Sequence, residues 1–179
     1  IAEMSFAYDG PLPTAVAWAG EFAASLTLTY DTLFRISSES VNGGSTITYG
    51  YDNDDRLVQV GNLALTRSVQ NGLLQGASLG LITDSFVRNG FGEPVSYTVQ
   101  HNGSPIFSLE LTRDSLGRIT QRLETIAGVT TDYDYEYDAR GHLVAVARNG
   151  AAYELYEYDA NGNRTSATVD GVPRLATHD

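Results

Sequence analysis

The chain has 179 residues, a formal net charge of −11 and no cysteine; 42% of its residues are hydrophobic and 18% charged. That is enough chain for one ordinary domain, and too apolar to stay disordered. Disulfides, zinc–thiolate sites and thiol nucleophiles are excluded. All eleven cationic side chains are arginine, and the acid excess argues against a nucleic-acid partner.

The segment 1–24 is expected to form leading strands of a partial repeat. Ile1 to Asp9 lack the basic and apolar regions of a signal peptide, and no run approaches a membrane helix, so membrane insertion is not expected. An initial residue other than Met suggests a fragment. The stretch from Thr14 to Ala24 is the nearest approach to a helical stripe, but Gly20 interrupts it, and it reads as one more pair of strands.

From residue 25 to 179 a motif recurs: an aromatic residue, an aspartate, two or three variable positions, then often Gly-Arg and an aliphatic residue. It reads Tyr30-Asp31 with Phe34-Arg35-Ile36, then Tyr51-Asp52 with Asp55-Arg56-Leu57. A degenerate copy is Arg88-Asn89 with Gly92-Glu93, and a weaker one Arg113-Asp114 with Gly117-Arg118-Ile119. Tyr137-Asp138 with Gly141-His142 and Tyr158-Asp159 with Gly162-Asn163 complete the series. Successive first positions are 21, 37, 25, 24 and 21 residues apart. A next copy is expected at His178, so the C-terminus reads as cut in mid-repeat.

The chemistry of the motif is turn chemistry. Aspartate at the first turn position accepts a backbone N–H two residues on, and glycine at the fourth takes a left-handed conformation that returns the chain as a strand. A second family of turns lies between: Asn42-Gly43, Asn71-Gly72, Asn102-Gly103, Asn149-Gly150 and Asp170-Gly171, the strongest short-range hairpin signals. The two families alternate, one on each edge. The strands between them have period two, as in Asp132-Tyr133-Asp134-Tyr135-Glu136-Tyr137, with tyrosines on one face and carboxylates on the other. The fold class is all-β, an antiparallel hairpin meander. A single layer cannot bury its apolar face alone, so the meander is expected to belong to a larger sheet that curls on itself. Isolated, such a fragment is expected to self-associate through open edges.

Candidate chemistry is sparse. Asp159, Asn161, Asn163 and Asp170 have a calcium-loop spacing, but Arg164 stands where that loop needs glycine. His101, His142 and His178 are far apart, so no metal and no cofactor is expected. Asp132, Asp134, Glu136, Glu154 and Glu157 could in principle supply paired acids for glycoside hydrolysis, but they read as the wet face of strands. The tyrosines at 133, 135 and 137 could stack on glycans, though inward packing is the expected use. Asn102-Gly-Ser104 and Asn163-Arg-Thr165 are glycosylation sequons. The recurring arginines Arg35, Arg56 and Arg118 are expected to pair with turn aspartates of neighbouring repeats.

The Tyr-Asp-x-x-Gly-Arg-Leu beat resembles the YD repeat of Rhs proteins, shared with the C component of insecticidal toxin complexes and with teneurins. The repeat positions are Tyr30, Asp31, Arg35, Tyr51, Asp52, Arg56, Asp114, Gly117, Arg118, Tyr137, Asp138, Gly141, Tyr158, Asp159 and Gly162. The stretch Asn89 to Glu93 is similar to a variant of bacterial members. The resemblance implies part of a spiral β-shell, a cocoon that encapsulates and sequesters a C-terminal toxin or other cargo. It also implies adjacent YD repeats of the parent chain as partners, export to the cell surface or medium, and no catalytic residue in this segment. The alternative it carries is an extracellular adhesion or carbohydrate-binding array of teneurin type. Arginine at positions 88 and 113, and the missing glycines at Phe34 and Asp55, depart from the family pattern.

Overall fold

A computed structural model describes residues 3–175. The expected repeat start at His178 lies outside them. Seventeen strands and no helix occur among the described residues. The chain divides into two compact units, Ile1–Gly80 and Leu81–Asp179.

In the first unit, β1 (Glu3–Asp9), β2 (Leu12–Ala19), β3 (Ala24–Tyr30), β4 (Ile36–Val41), β5 (Ile47–Tyr51), β6 (Leu57–Val60), β7 (Leu63–Arg67) and β8 (Leu74–Leu79) follow one another. Each pairs antiparallel with the strand before it. The second unit repeats this with β9 (Ile82–Arg88), β10 (Pro94–His101), β11 (Ser104–Arg113), β12 (Ile119–Ile126), β13 (Val129–Tyr137), β14 (Leu143–Arg148), β15 (Ala151–Tyr158), β16 (Arg164–Val169) and β17 (Val172–Leu175). Both units are therefore antiparallel meanders, as the alternating turns require.

Two sequence expectations are corrected. Thr14 to Ala24 is not a pair of strands: β2 runs to Ala19, residues 20–23 turn, and β3 starts at Ala24. The turn holding Asn71-Gly72 is not of the two-residue Asn-Gly kind. It spans 68–73 between β7 and β8, on the same edge as the Tyr-Asp turns, and only Gly72 has positive φ. The other four predicted pairs, Asn42-Gly43, Asn102-Gly103, Asn149-Gly150 and Asp170-Gly171, have positive φ at both residues. That is the type I′ geometry whose twist matches the flanking strands.

Cross-strand partners share a face, and the faces differ in chemistry. One row in the first unit runs Phe6, Val16, Leu26, Val41; the next row on the opposite face runs Ala7, Ala15, Thr27, Ser40. In the second unit Tyr135, Val146, Glu154 and Val169 form one row, and Glu136, Ala145, Leu155 and Thr168 the row behind. In the first unit these rows separate an aromatic–aliphatic face from a face of small and polar side chains; in the second the separation is mixed, with Glu154 in the aromatic–aliphatic row and Leu155 in the other. Among the described residues only Val146 (3% exposed) and Ala167 (7%) are fully buried hydrophobic side chains. The chain exposes 12173 Å², against about 8,500 Å² for a compact monomer of its 19.3 kDa mass. A single-layer sheet leaves its apolar face without a second layer to bury it.

Candidate functional site: the motif turns and the stitching between repeats

The motif turns share one hydrogen-bond pattern. The Asp31 N–H donates to Arg35 O (2.9 Å) and the Phe34 N–H to Asp31 O (3.0 Å). Asp31 Oδ1 accepts the N–H groups of Leu33 (2.9 Å) and Arg35 (3.0 Å). Asp52, Asp114, Asp138 and Asp159 repeat the arrangement, each accepting the N–H groups two and four residues on. Asn89 does the same for Phe91 and Glu93. The fourth residue has positive φ throughout: 63° at Phe34, 61° at Asp55, 80° at Gly117, 90° at Gly141 and 84° at Gly162. Phe34 thus holds a conformation that L-residues other than Asn and Asp rarely adopt, whereas Asp55 is of a type that enters it more readily.

The second carboxylate oxygen takes the fifth side chain. Arg35 Nε donates to Asp31 Oδ2 at 2.7 Å, Arg56 to Asp52 at 2.9 Å and Arg118 to Asp114 at 2.7 Å. His142 Nδ1 lies 2.9 Å from Asp138 Oδ2, and Asn163 Nδ2 3.0 Å from Asp159 Oδ2. The recurring arginines therefore bind first within their own turn, and the pairing with a neighbouring repeat that the sequence suggested is made by Arg35 alone of the three among the described contacts. Two backbone N–H groups already fix the carboxylate, and the fifth residue starts the returning strand beside it. Arg35 additionally reaches Asp55 in the following turn.

All five turn aspartates are held below the ordinary carboxyl value of 3.8. At Asp31, Asp114 and Asp138 desolvation is the largest single influence and pushes upward, but donors from the fifth and third residues together outweigh it. At Asp52 the Arg56 N–H is the main cause, and at Asp159 the Asn163 side-chain amide, a neutral donor. A carboxyl whose folded pKa is depressed contributes stability above its unfolded value, lost as pH falls through the folded value. The thermal midpoint is therefore expected to fall steeply once pH drops below about 4. Melting followed by circular dichroism across that range checks this; a midpoint that rises on acidification would contradict it.

Six first-position residues stitch their repeat to the preceding segment of the same unit. Tyr30 Oη donates to Pro13 O (2.7 Å), Tyr51 to Ile36 O (2.9 Å), Tyr137 to Ile119 O (2.8 Å) and Tyr158 to Leu143 O (2.8 Å). In the last three repeats the acceptor is the residue that leaves the previous motif turn. Arginine does the same work: Arg67 Nε donates to Leu57 O (2.9 Å) and Arg113 Nη2 to Pro94 O (3.3 Å). Each first-position arginine also ties down its own turn, Arg67 through Gly72 O, Arg88 through Gly92 O and Arg113 through Gly117 O. Arginine at 67 and 113 is thus a second solution, with more donors than tyrosine has. Arg67-Ser68 starts a further repeat that carries neither the tyrosine nor the aspartate of the motif. Ser68 replaces aspartate, and Gly72 N–H bonds to Ser68 O across one extra residue. The 37-residue gap, against 21–25 elsewhere, was the available signal.

Asp159 is committed to its turn, and Asp170 sits in a type I′ turn between β16 and β17. Among the described residues no group of three or more metal-ligating side chains converges. No described helix is long and apolar enough to cross a membrane.

The family pattern described as Teneurin YD-shell matches residues 2–173. This chain belongs to the YD-shell family. The toxin protein Tse5 of Pseudomonas aeruginosa is 31% identical over 132 aligned positions, covering 60% of this chain and 10% of Tse5. In solved structures the same fold occurs in TcdB2-TccC3 without its hypervariable C-terminal region, with a TM-score of 0.76 at 13% identity over 98% of this chain. It also occurs in the Photorhabdus luminescens Tc holotoxin pore, with a TM-score of 0.72 at 12% identity over 88% of this chain. The YD-shell segment spans about a tenth of the length of each of these relatives. It is an Rhs-type, YD-repeat shell segment.

Proposed function

We propose that this YD-shell segment is a passive wall, which with further repeats of its parent protein encloses and sequesters a toxin or other cargo domain. Within it, residues 1–24 lead into the array and 25–179 form the array proper. The parent is a bacterial protein exported to the medium or the cell surface, and this segment catalyses nothing. The observation that carries the reading is the stitching. Successive strands share backbone ladders, and first-position donors then lock one repeat to the carbonyl of the repeat before it. Within each unit, a sheet bonded in this way resists being opened by solvent or protease. The toxin and toxin-complex relatives support a cargo of that class.

The tyrosine geometry favours this wall over a sugar-binding surface. Guanidinium groups lie over the rings of Tyr51, Tyr133, Tyr137 and Tyr153 at 4.0–4.6 Å, and the His142 imidazole stacks on Tyr158. Those ring faces already have partners of the kind a sugar would have to displace.

Limited proteolysis of the full-length parent protein tests the proposal. Its cargo domain is expected to resist digestion at protease levels that degrade the same domain expressed alone. Equal cleavage in both contexts would refute enclosure.

A further inference from the structure

We propose that each motif turn carries a polarity that selects the first residue of the next repeat, so that the Asp31–Arg35 and Asp114–Arg118 turns are built to receive tyrosine and the Asn89–Glu93 turn is built to receive arginine. The fifth side chain of a turn bonds backward to its own cap and also reaches forward. Arg35 lies over the Tyr51 ring at 4.3 Å and Arg118 over Tyr137 at 4.6 Å. His142 stacks on Tyr158 at 4.7 Å with 20° between planes. A cation on a π-face is attractive, whereas arginine in place of those tyrosines would set like charges together.

The turn at 89–93 has the opposite sign. Asn89 Oδ1 still accepts the N–H groups of Phe91 and Glu93, both at 3.0 Å. Its other terminal atom is now a donor: Asn89 Nδ2 bonds Glu93 Oε2 at 2.7 Å. An amide cap therefore permits an acid at the fifth position, where a carboxylate cap requires a donor. That acid faces forward onto arginine, with Glu93 Oε2 3.7 Å from Arg113 Nε. Arg113 Nε is buried and has no hydrogen-bond partner among the described residues. Arg113 is only 18% exposed and Glu93 37%, so the pair is partly shielded from water.

The fourth position of the next turn obeys the same contact. A Cβ on Gly117 would sit 3.3 Å from Glu93 Oε1, and one on Gly162 3.1 Å from His142 Nε2. Where glycine is absent, Asp55 binds the incoming Arg35. One junction joins an arginine turn to an arginine-first repeat, Arg56 to Arg67. There the third residue supplies a further carboxylate, and Arg56 Nη2 bonds Asp54 Oδ2 at 2.6 Å.

The rule makes cap, fifth residue and following first residue exchangeable as a set and not singly. In the 179-residue chain, Arg113→Tyr alone and Asn89→Asp with Glu93→Arg are each expected to lower the thermal midpoint by at least about 2 °C. Combining all three changes is expected to return it to within about 1 °C of the parent. A triple variant whose loss equals the sum of the two partial losses, or a harmless partial variant, would overturn the proposal. If the partial variants do not fold while the triple does, the rule holds. If none folds, Glu93→Gln decides. Its midpoint should be less sensitive to added salt than the parent's, because salt screens the charge pair that it lacks. Equal salt sensitivity would overturn the rule.

Discussion

Tyr137→Ala is expected to destabilise the chain by about 3 kcal/mol and Tyr137→Phe by about 1 kcal/mol in urea unfolding. The phenylalanine variant loses one half-buried hydrogen bond, Tyr137 Oη to Ile119 O at 2.8 Å, for which about 1 kcal/mol is the usual net contribution. It keeps the ring beneath Arg118 at 4.6 Å. Alanine removes the ring as well, exposing the guanidinium stack and leaving a gap between successive motif turns. The two variants together separate the hydroxyl from the ring. Equal losses in both would mean that the hydroxyl alone matters, and a neutral Tyr137→Phe would show that the cross-repeat bond is dispensable.

Val146→Asp is expected to cost about 4 kcal/mol, enough to unfold much of the second unit. Val146 is 3% exposed, between Tyr135 and Glu154 in its cross-strand row. A carboxylate there would be stripped of water, without a cation in that row and next to an existing acid. Val146→Ala, which removes only methyl groups, is expected to cost about 2 kcal/mol. The same aspartate at Val129, which is 71% exposed, should change stability by no more than about 0.5 kcal/mol. Chemical denaturation of the three variants checks the ranking. Similar losses at 146 and 129 would mean that the aromatic face has no protected centre.

The residues that made the fold legible are those whose backbone demands are local. Asp31, Asp114 and Asp138 cap their own turns, and Asn102-Gly103 and Asn149-Gly150 bend on their own. Their types therefore announce the geometry. Turns that use ordinary residues were silent. Ala127 takes φ of 48° before Gly128 with no asparagine to mark it. Ser68 closes a turn one residue longer than the rest, which also misassigned Asn71-Gly72 to the wrong edge. The stitching was legible only in part. Tyrosine was a visible beat, but arginine shares no shape or hydrophobicity with it. Only the carbonyl that both reach, a repeat earlier in the chain, shows that Arg67 and Arg113 hold the place of Tyr51 and Tyr137. The within-turn partners of the arginines were hidden for a related reason, while the cross-repeat pair of Arg35 with Asp55 is of the expected kind. Sequence spacing shows which charges recur, whereas choice of partner depends on which carboxylate the backbone has already fixed.

Within a unit each strand pairs with its sequence neighbours to make one continuous layer, and the absence of native cysteine allows a direct test by engineered disulfides. Thr98 and Ser108 are register partners on β10 and β11, while Ser108 and Thr130 lie two strands apart, separated by Thr125. Register partners approach to about 4.5–5.5 Å between Cα atoms, within disulfide reach, whereas strands two apart are about 9.6 Å distant. Under mild oxidation Thr98→Cys with Ser108→Cys should crosslink within the chain, and Ser108→Cys with Thr130→Cys should not. A crosslink in the second variant and none in the first would contradict the meander and, with it, the wall.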